Sequence, residues 1–547
     1  MTVSYESYRK NKVREIYEKQ LKICNAFDNH RCENGGLLEY SEAKGFTCKC
    51  PRNYIGKTCE ELKPVTFISM ILSWIRQLDV EFGMPTNWWH LIPFTSERQL
   101  AYVYAFHQSV LKSLEDAFYD SDNDTNGHNI NGRILPRSRP LMCPNNNNLP
   151  PLNLLYTDIF ERQSGQFKPD LENRNLLFQA FYQYFILQFF DSDSKLTITA
   201  SQLYGRDSVT EKSLRSFSDG KLKTQYINNE HYALYTSPKI HSNVHRREYL
   251  KSTDGISTMI SSMNPMLFAV STLWVREHNR VCDMLSLVSS PSWTDEQIYK
   301  TARKIVTSQM MVVMMNEILK VQTGHRYSIK FRPEAYHHRI QNISSSAMPI
   351  ELILMMAVSN LPEQFNGNPI SRGDNRQVLD VGLKNTLQFM ISQPMGRLTA
   401  HNDGSVTRPL TEILMKLSRE HSVQSFNNYR RRFGLPKYDS FYHLTNNWKT
   451  ANGLNYLYKN VDDVDLLTGV MTERSRIGSL PTSTIVTHSF IVNAILTNGL
   501  TSEHSWKSDT FGGEQFFDMV KSTTLRSLVC RNLIDYCDGL NVGLYTK

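Results

Sequence analysis

From about residue 170 onward the chain repeats its apolar residues at helical spacing and nowhere at the spacing of strands. The pattern runs through 174–190, 265–288, 295–322, 376–395 and 408–420. Apolar side chains recurring every three or four positions line one face of a helix. No alternating apolar and polar run competes with this, and no segment repeats. Such stripes are buried helix against helix, so a mainly α fold with one large helical domain is expected.

Composition narrows the class further. The chain has 547 residues, of which 40% are hydrophobic and 21% charged, the profile of a folded globular protein rather than a disordered one. The net charge of +8 is spread thinly over that length, and no basic run is interleaved with aromatics, which excludes nucleic acid as the expected partner. No apolar run reaches the ~18 residues that a membrane-crossing helix needs. Residues 1–23 form a polar, helix-favouring arm without the apolar core of a signal peptide.

The cysteines point to an oxidising compartment. Cys24, Cys32, Cys48, Cys50 and Cys59 crowd into one short block with Gly and Asn between them, the mark of a disulfide-stapled module. The alternative is a zinc site, but Cys48-Lys49-Cys50 has one intervening residue where zinc knuckles use two or more. Residues 24–61 resemble an epidermal growth factor-like (EGF-like) module, carried by Cys32-Glu33-Asn34-Gly35-Gly36, Phe46-Thr47-Cys48-Lys49-Cys50-Pro51 and Tyr54-Ile55-Gly56-Lys57-Thr58-Cys59. One cysteine of the usual six is missing, and Leu38 stands near its place. Residues 62–112 then change character: Phe67, Ile68, Met70, Ile71, Leu72, Trp74 and, further on, Trp88-Trp89 suit short amphipathic helices lying in a membrane surface, or ordinary packing against the main domain. Residues 113–155 are rich in Asn and Asp and open the large domain, 113–547, as loops.

One stretch of that domain is unusually bland. Pro349 to Pro362 reads as a buried helix of about three turns, apolar almost all round and closed by Pro362. It holds no His, Tyr, Cys or Lys, and so no strong ligand or nucleophile.

Several motifs give this blandness a meaning. Trp274-Val275-Arg276-Glu277-His278-Asn279-Arg280 resembles the Arg-Glu-His-Asn-Arg helix of animal haem peroxidases, and Ser201-Gln202-Leu203-Tyr204-Gly205 resembles another motif of that superfamily. Asp295-Glu296-Gln297, Ser425 to Phe433 and Asp509-Thr510-Phe511-Gly512-Gly513-Glu514 narrow the resemblance to the prostaglandin H synthase, or cyclooxygenase, family. That resemblance covers roughly 24–540. It implies a haem-peroxidase-like helical domain, an EGF-like module and helices attached to one membrane leaflet. It implies haem b as cofactor, peroxide reduction, and fatty-acid oxygenation by a tyrosyl radical. It also implies the disulfides Cys24–Cys143, Cys32–Cys48, Cys50–Cys59 and Cys530–Cys537, with Cys282 left as a buried thiol. Losing both partners of the remaining module bridge leaves no further unpaired thiol, as expected of a chain kept in the endoplasmic reticulum lumen or secretory pathway, membrane-associated.

The resemblance also says where the chemistry should sit. Between the anchors Arg332-Pro333-Glu334 and Leu361-Pro362 the family's radical Tyr falls on Met355 and its proximal iron ligand on Val358. In Phe181 to Phe190, Gln183 keeps the distal Gln position, but the distal His is Leu187. At the channel mouth the carboxylate-binding Arg falls near Gln108 or Ser109, the Tyr on His325 and the Glu on Ile485, while the Ser that aspirin acetylates falls on Ile491. Val cannot ligate iron, and Leu cannot move a proton. The expectation is a cyclooxygenase homologue that no longer binds haem, has no other metal and keeps no catalytic residue. It would act by binding: as a homodimer, as a heterodimer with an active relative, or by holding a lipid or fatty acid. The alternative is an active haem peroxidase or fatty-acid dioxygenase making prostaglandin-type products with a rearranged ligand, for which His337, His338 and His488 are the candidate imidazoles. His278 belongs to a helix that is structural in the family.

Overall fold

The computed structural model describes residues 32–33, 36–41, 44–50, 54–62, 118–119, 132–135, 137–138, 149–163, 165–190, 197–234, 253–288, 293–323, 331–335, 348–370, 373, 375–474, 480–535 and 537–546. The expected arm (1–23), the expected amphipathic helices (62–112) apart from Leu62, and the Cys24–Cys143 bridge lie outside them. Among the described residues the fold is mainly helical, and strands occur as two-stranded antiparallel pairs.

At the N-terminal end, Leu37–Ser41 pairs with Gly45–Lys49, setting Leu38 opposite Cys48, and Tyr54–Ile55 pairs with Glu61–Leu62. Disulfides Cys32–Cys48 and Cys50–Cys59 staple these small hairpins, and Cys530–Cys537 closes the chain's end. All three match the expected pairing. Three disulfides belong to an oxidising compartment of the secretory type.

Six helices frame the site and its supports: α1 (Leu176–Ile186), α2 (Met266–Val288), α3 (Asp295–Val313), α4 (Ile350–Ala357), α5 (Phe426–Arg432) and α6 (Thr482–Leu496). α1 starts where the Asn175 side chain accepts from Phe178 N at 3.1 Å. It tightens into a 3-10 turn, Leu187–Phe190. α3 starts on a capping box, Thr294 with Gln297, and runs on through a π-helical turn to Gln322. The periodic segment 376–395 is not one helix. Gly382, at φ 85°, divides it into Arg376–Val381 and Leu383–Ser392.

The peroxidase-type motif on α2 is a structural clamp. Glu277 is fully buried and accepts from Arg280, Arg531, Asn532 and Gln309. Burial alone would raise its pKa, but the two guanidinium groups outweigh that and bring it to about 2. His278 sits between Tyr204 Oη and Gly220 O, each at 3.0 Å, so the two sequence motifs touch. Burial lowers its pKa to about 4 and keeps it neutral. Cys282 is the free buried thiol expected, with its pKa pushed up by burial.

Candidate functional site

The bland stretch folds differently from its reading as one long helix. α4 ends at Ala357, and Val358 already has extended geometry (φ −69°, ψ 132°). The cause is a backbone pairing. Asn360 bridges Gly396, and Gly396 has no room for a side chain, because a Cβ there would lie 2.4 Å from Asn360 O. Two further bridges, Pro169–Gly396 and Asn175–Pro394, lace the same segments to the start of α1.

All eight residues of α4 are buried. Its single charge, Glu351, has none of its surface exposed. Glu351 accepts from Ile134 N at 3.1 Å, Leu135 N at 3.3 Å and Tyr429 Oη of α5 at 2.7 Å. Burial raises its pKa, partly offset by the Tyr429 hydrogen bond and the Arg133 charge. The Ser425–Phe433 motif thus holds α4 in place. Arg430 of the same motif binds Glu473 at 2.7 Å.

Between α1, the end of α4, segment 395–398 and the start of α6 lies a cleft. Its cavity volume is about 140 Å³, and it opens to solvent. Met355, Met356, Val358, Met395 and Leu398 supply apolar wall; Gln179, Gln183, Gln322, Ser359 and Arg397 supply polar wall. Gln183 Oε1 accepts from Asn264 Nδ2 at 2.7 Å and is thereby held.

The sequence-derived positions divide into three sets. Gln183, Met355 and Val358 come together on this cleft. Leu187 and Ile491 are buried in the core, on the 3-10 turn after α1 and on α6, and do not line it. Gln108, Ser109, His325, His337 and His338 lie outside the described residues. His488 is buried on α6, also off the cleft, and burial lowers its pKa to about 3. Sequence reading passed over Gln179, Gln322, Ser359, Arg397 and Glu351. Gln179 had a usable signal, being four residues before Gln183 and hence on the same face of an otherwise apolar helix. Arg397 had none, because its position depends on a backbone bridge.

The sequence profile of the animal haem peroxidase family matches residues 196–537. The chain therefore belongs to the animal haem peroxidase family. Within it, the chain is 26% identical over 547 residues to prostaglandin G/H synthase 2 of Cavia porcellus, covering 94% of this chain and 90% of that one. It is 30% identical over 428 residues to prostaglandin G/H synthase 1 of Canis lupus familiaris, covering 73% and 70% respectively. In three dimensions it is similar to a fatty acid alpha-dioxygenase of Arabidopsis thaliana, with a TM-score of 0.64, 15% identity and coverage of 88% and 93%. It is also similar to Peroxidase A of Dictyostelium discoideum, with a TM-score of 0.59, 16% identity and coverage of 74% and 92%. The two solved structures support the fold.

The family's haem needs an axial donor. Among the described residues lining the cleft there is no imidazole and no thiolate; the soft donors are methionine thioethers, and the one phenol, Tyr182, has its pKa raised by burial. That donor set does not fit an imidazole-ligated haem. Among the described residues, no group of three or more His, Cys, Asp or Glu is placed to hold a metal, and no helix is long and apolar enough to cross a membrane.

Proposed function

We propose that this chain is a prostaglandin synthase homologue that has given up haem and works as a binding protein. The observation that carries the reading is the cleft wall of Met355, Met356 and Val358, where the family resemblance calls for a radical Tyr and an iron ligand. Apolar fillers at a buried site remove the cost of keeping polar groups there without use. The chain would reside in the endoplasmic reticulum lumen, attach to one membrane leaflet through 62–112, and pair with itself or with an active relative. A lipid or fatty acid held in a remnant channel is part of the same reading.

A second reading keeps the enzyme. Met355 and Met356 place thioethers on the cleft wall, and a thioether can ligate haem. The chain would then be a peroxidase or fatty-acid dioxygenase with a rearranged ligand. Titrating hemin into the purified protein separates the two. A sharp Soret band at one equivalent, lost in Met355→Leu or Met356→Leu and accompanied by peroxide turnover, establishes the second reading. Uptake no different from that by an unrelated protein rules out the second.

A further inference from the structure

Among the described residues, four buried polar atoms with no hydrogen-bond partner in the protein share the cleft: Gln179 Oε1, Gln322 Oε1, Ser359 Oγ and Arg397 Nε. Gln179 and Gln322 are only 4% and 8% exposed. Native proteins leave few such atoms, and each costs about 1–3 kcal/mol while unsatisfied. Two of the four are carbonyl acceptors, which ask for a donor; Arg397 offers a charge.

That charge has no partner of its own. Asp170 and Glu172 share Arg174, at 2.7 and 3.9 Å, and Glu473 is paired by Arg430 at 2.7 Å, whereas Arg397 has no carboxylate partner among the described residues. Nearby Lys168 donates to Ala400 O and adds a second positive group rather than an acid. Between the polar atoms run Met355, Met356 and Met395, soft side chains that adapt to a flat or irregular apolar body. The reachable volume of about 140 Å³ is close to that of a cavity of about 150 Å³ that takes one benzene ring, and far too small for a long chain.

We propose that this cleft binds a small apolar monocarboxylate bearing a hydrogen-bond donor, its carboxylate on Arg397, its ring on the methionines and its donor on Gln322 or Gln179. The proposal rests on the cleft being free of haem, as in the binding-protein reading.

The test uses the intact protein and calorimetric titration with 3-(4-hydroxyphenyl)propanoate as probe. We expect a micromolar Kd, weakened about tenfold or more for 3-phenylpropanoate, which lacks the donor, and for 3-(4-hydroxyphenyl)propan-1-ol, which lacks the charge. Arg397→Gln should bring the acid and the alcohol to similar affinity, and Gln322→Leu should abolish the preference for the phenol. Equal binding of acid and alcohol by the unaltered protein, or no binding below 1 mM, overturns the proposal without any variant having to fold. Hemin is titrated separately. Specific hemin uptake that displaces the acid overturns the haem-free reading as well, whereas uptake of neither overturns the ligand alone.

Discussion

Glu351 ties the apolar α4 to two distant parts of the chain, the 134–135 backbone and Tyr429. Glu351→Leu would keep the packing roughly filled but strand two backbone N–H groups and a phenol. A loss of about 3 kcal/mol is expected, read by denaturant unfolding, because a buried donor without its acceptor bears its full desolvation cost. Tyr429→Phe strands one lone pair instead of three donors and should cost less, about 1 kcal/mol. Two buried histidines make the fold acid-sensitive. His278 and His488 are held neutral, with pKa values near 4 and 3 against an ordinary 6.5. Below pH 6.5 the unfolded chain takes up protons that the folded chain refuses, so stability is full above about 6.5 and falls as pH drops toward 4. Each histidine contributes at most about 1.4 kcal/mol per pH unit in that window. His488→Leu, which leaves a neutral side chain at that site, should flatten the slope of melting temperature against pH between 6.5 and 4 by about one proton's worth. An unchanged slope would mean that His488 titrates normally.

The site depends on how short segments are laced together. Gly396→Ala would push a Cβ to 2.4 Å from Asn360 O, against backbone that cannot swing aside. A cost of roughly 1–3 kcal/mol is expected by thermal melting. Probe binding in the cleft should fall as well, because Val358 and Ser359 lead directly into Asn360. This bridge also marks the limit of what the residues alone disclose. Helix existence was legible, because α1, α2, α3 and Arg408–Glu420 carry clear apolar stripes. The break at Gly382 was not, because one glycine in a periodic run is compatible with helix or cap. The end of α4 was also hidden. Apolar residues up to Leu361 look helical, and only a backbone bridge to a segment some 35 positions away in sequence, an interval read from the Asn360–Gly396 bridge, draws Val358 out of the helix. The site was half legible for the same reason. Motif anchors led to Gln183, Met355 and Val358, while Arg397 and Gln322 reach the cleft from segments without a motif.

At the scale of the whole molecule the cysteine count decides the redox state. Nine cysteines cannot all pair within one chain. Three disulfides are formed and Cys282 is buried and free. If Cys24 and Cys143 pair as the family resemblance implies, eight cysteines are used and Cys282 is the single remainder. The thiolate is the reactive form, and burial suppresses it at Cys282 both by covering the sulfur and by raising its pKa. Alkylation of the native protein with iodoacetamide should therefore label nothing, and alkylation in denaturant without reductant should label Cys282 alone. Peptide mapping under those conditions should also recover a Cys24–Cys143 cross-linked pair. Labelling of Cys24 or Cys143 in denaturant would show that bridge to be absent, and labelling of Cys282 in the native protein would show α2 opening toward solvent. Protein made in a reducing cytosol should take the label at the N-terminal hairpins as well. It should melt lower too, because each missing bridge frees loop entropy in the unfolded chain worth about 2–4 kcal/mol.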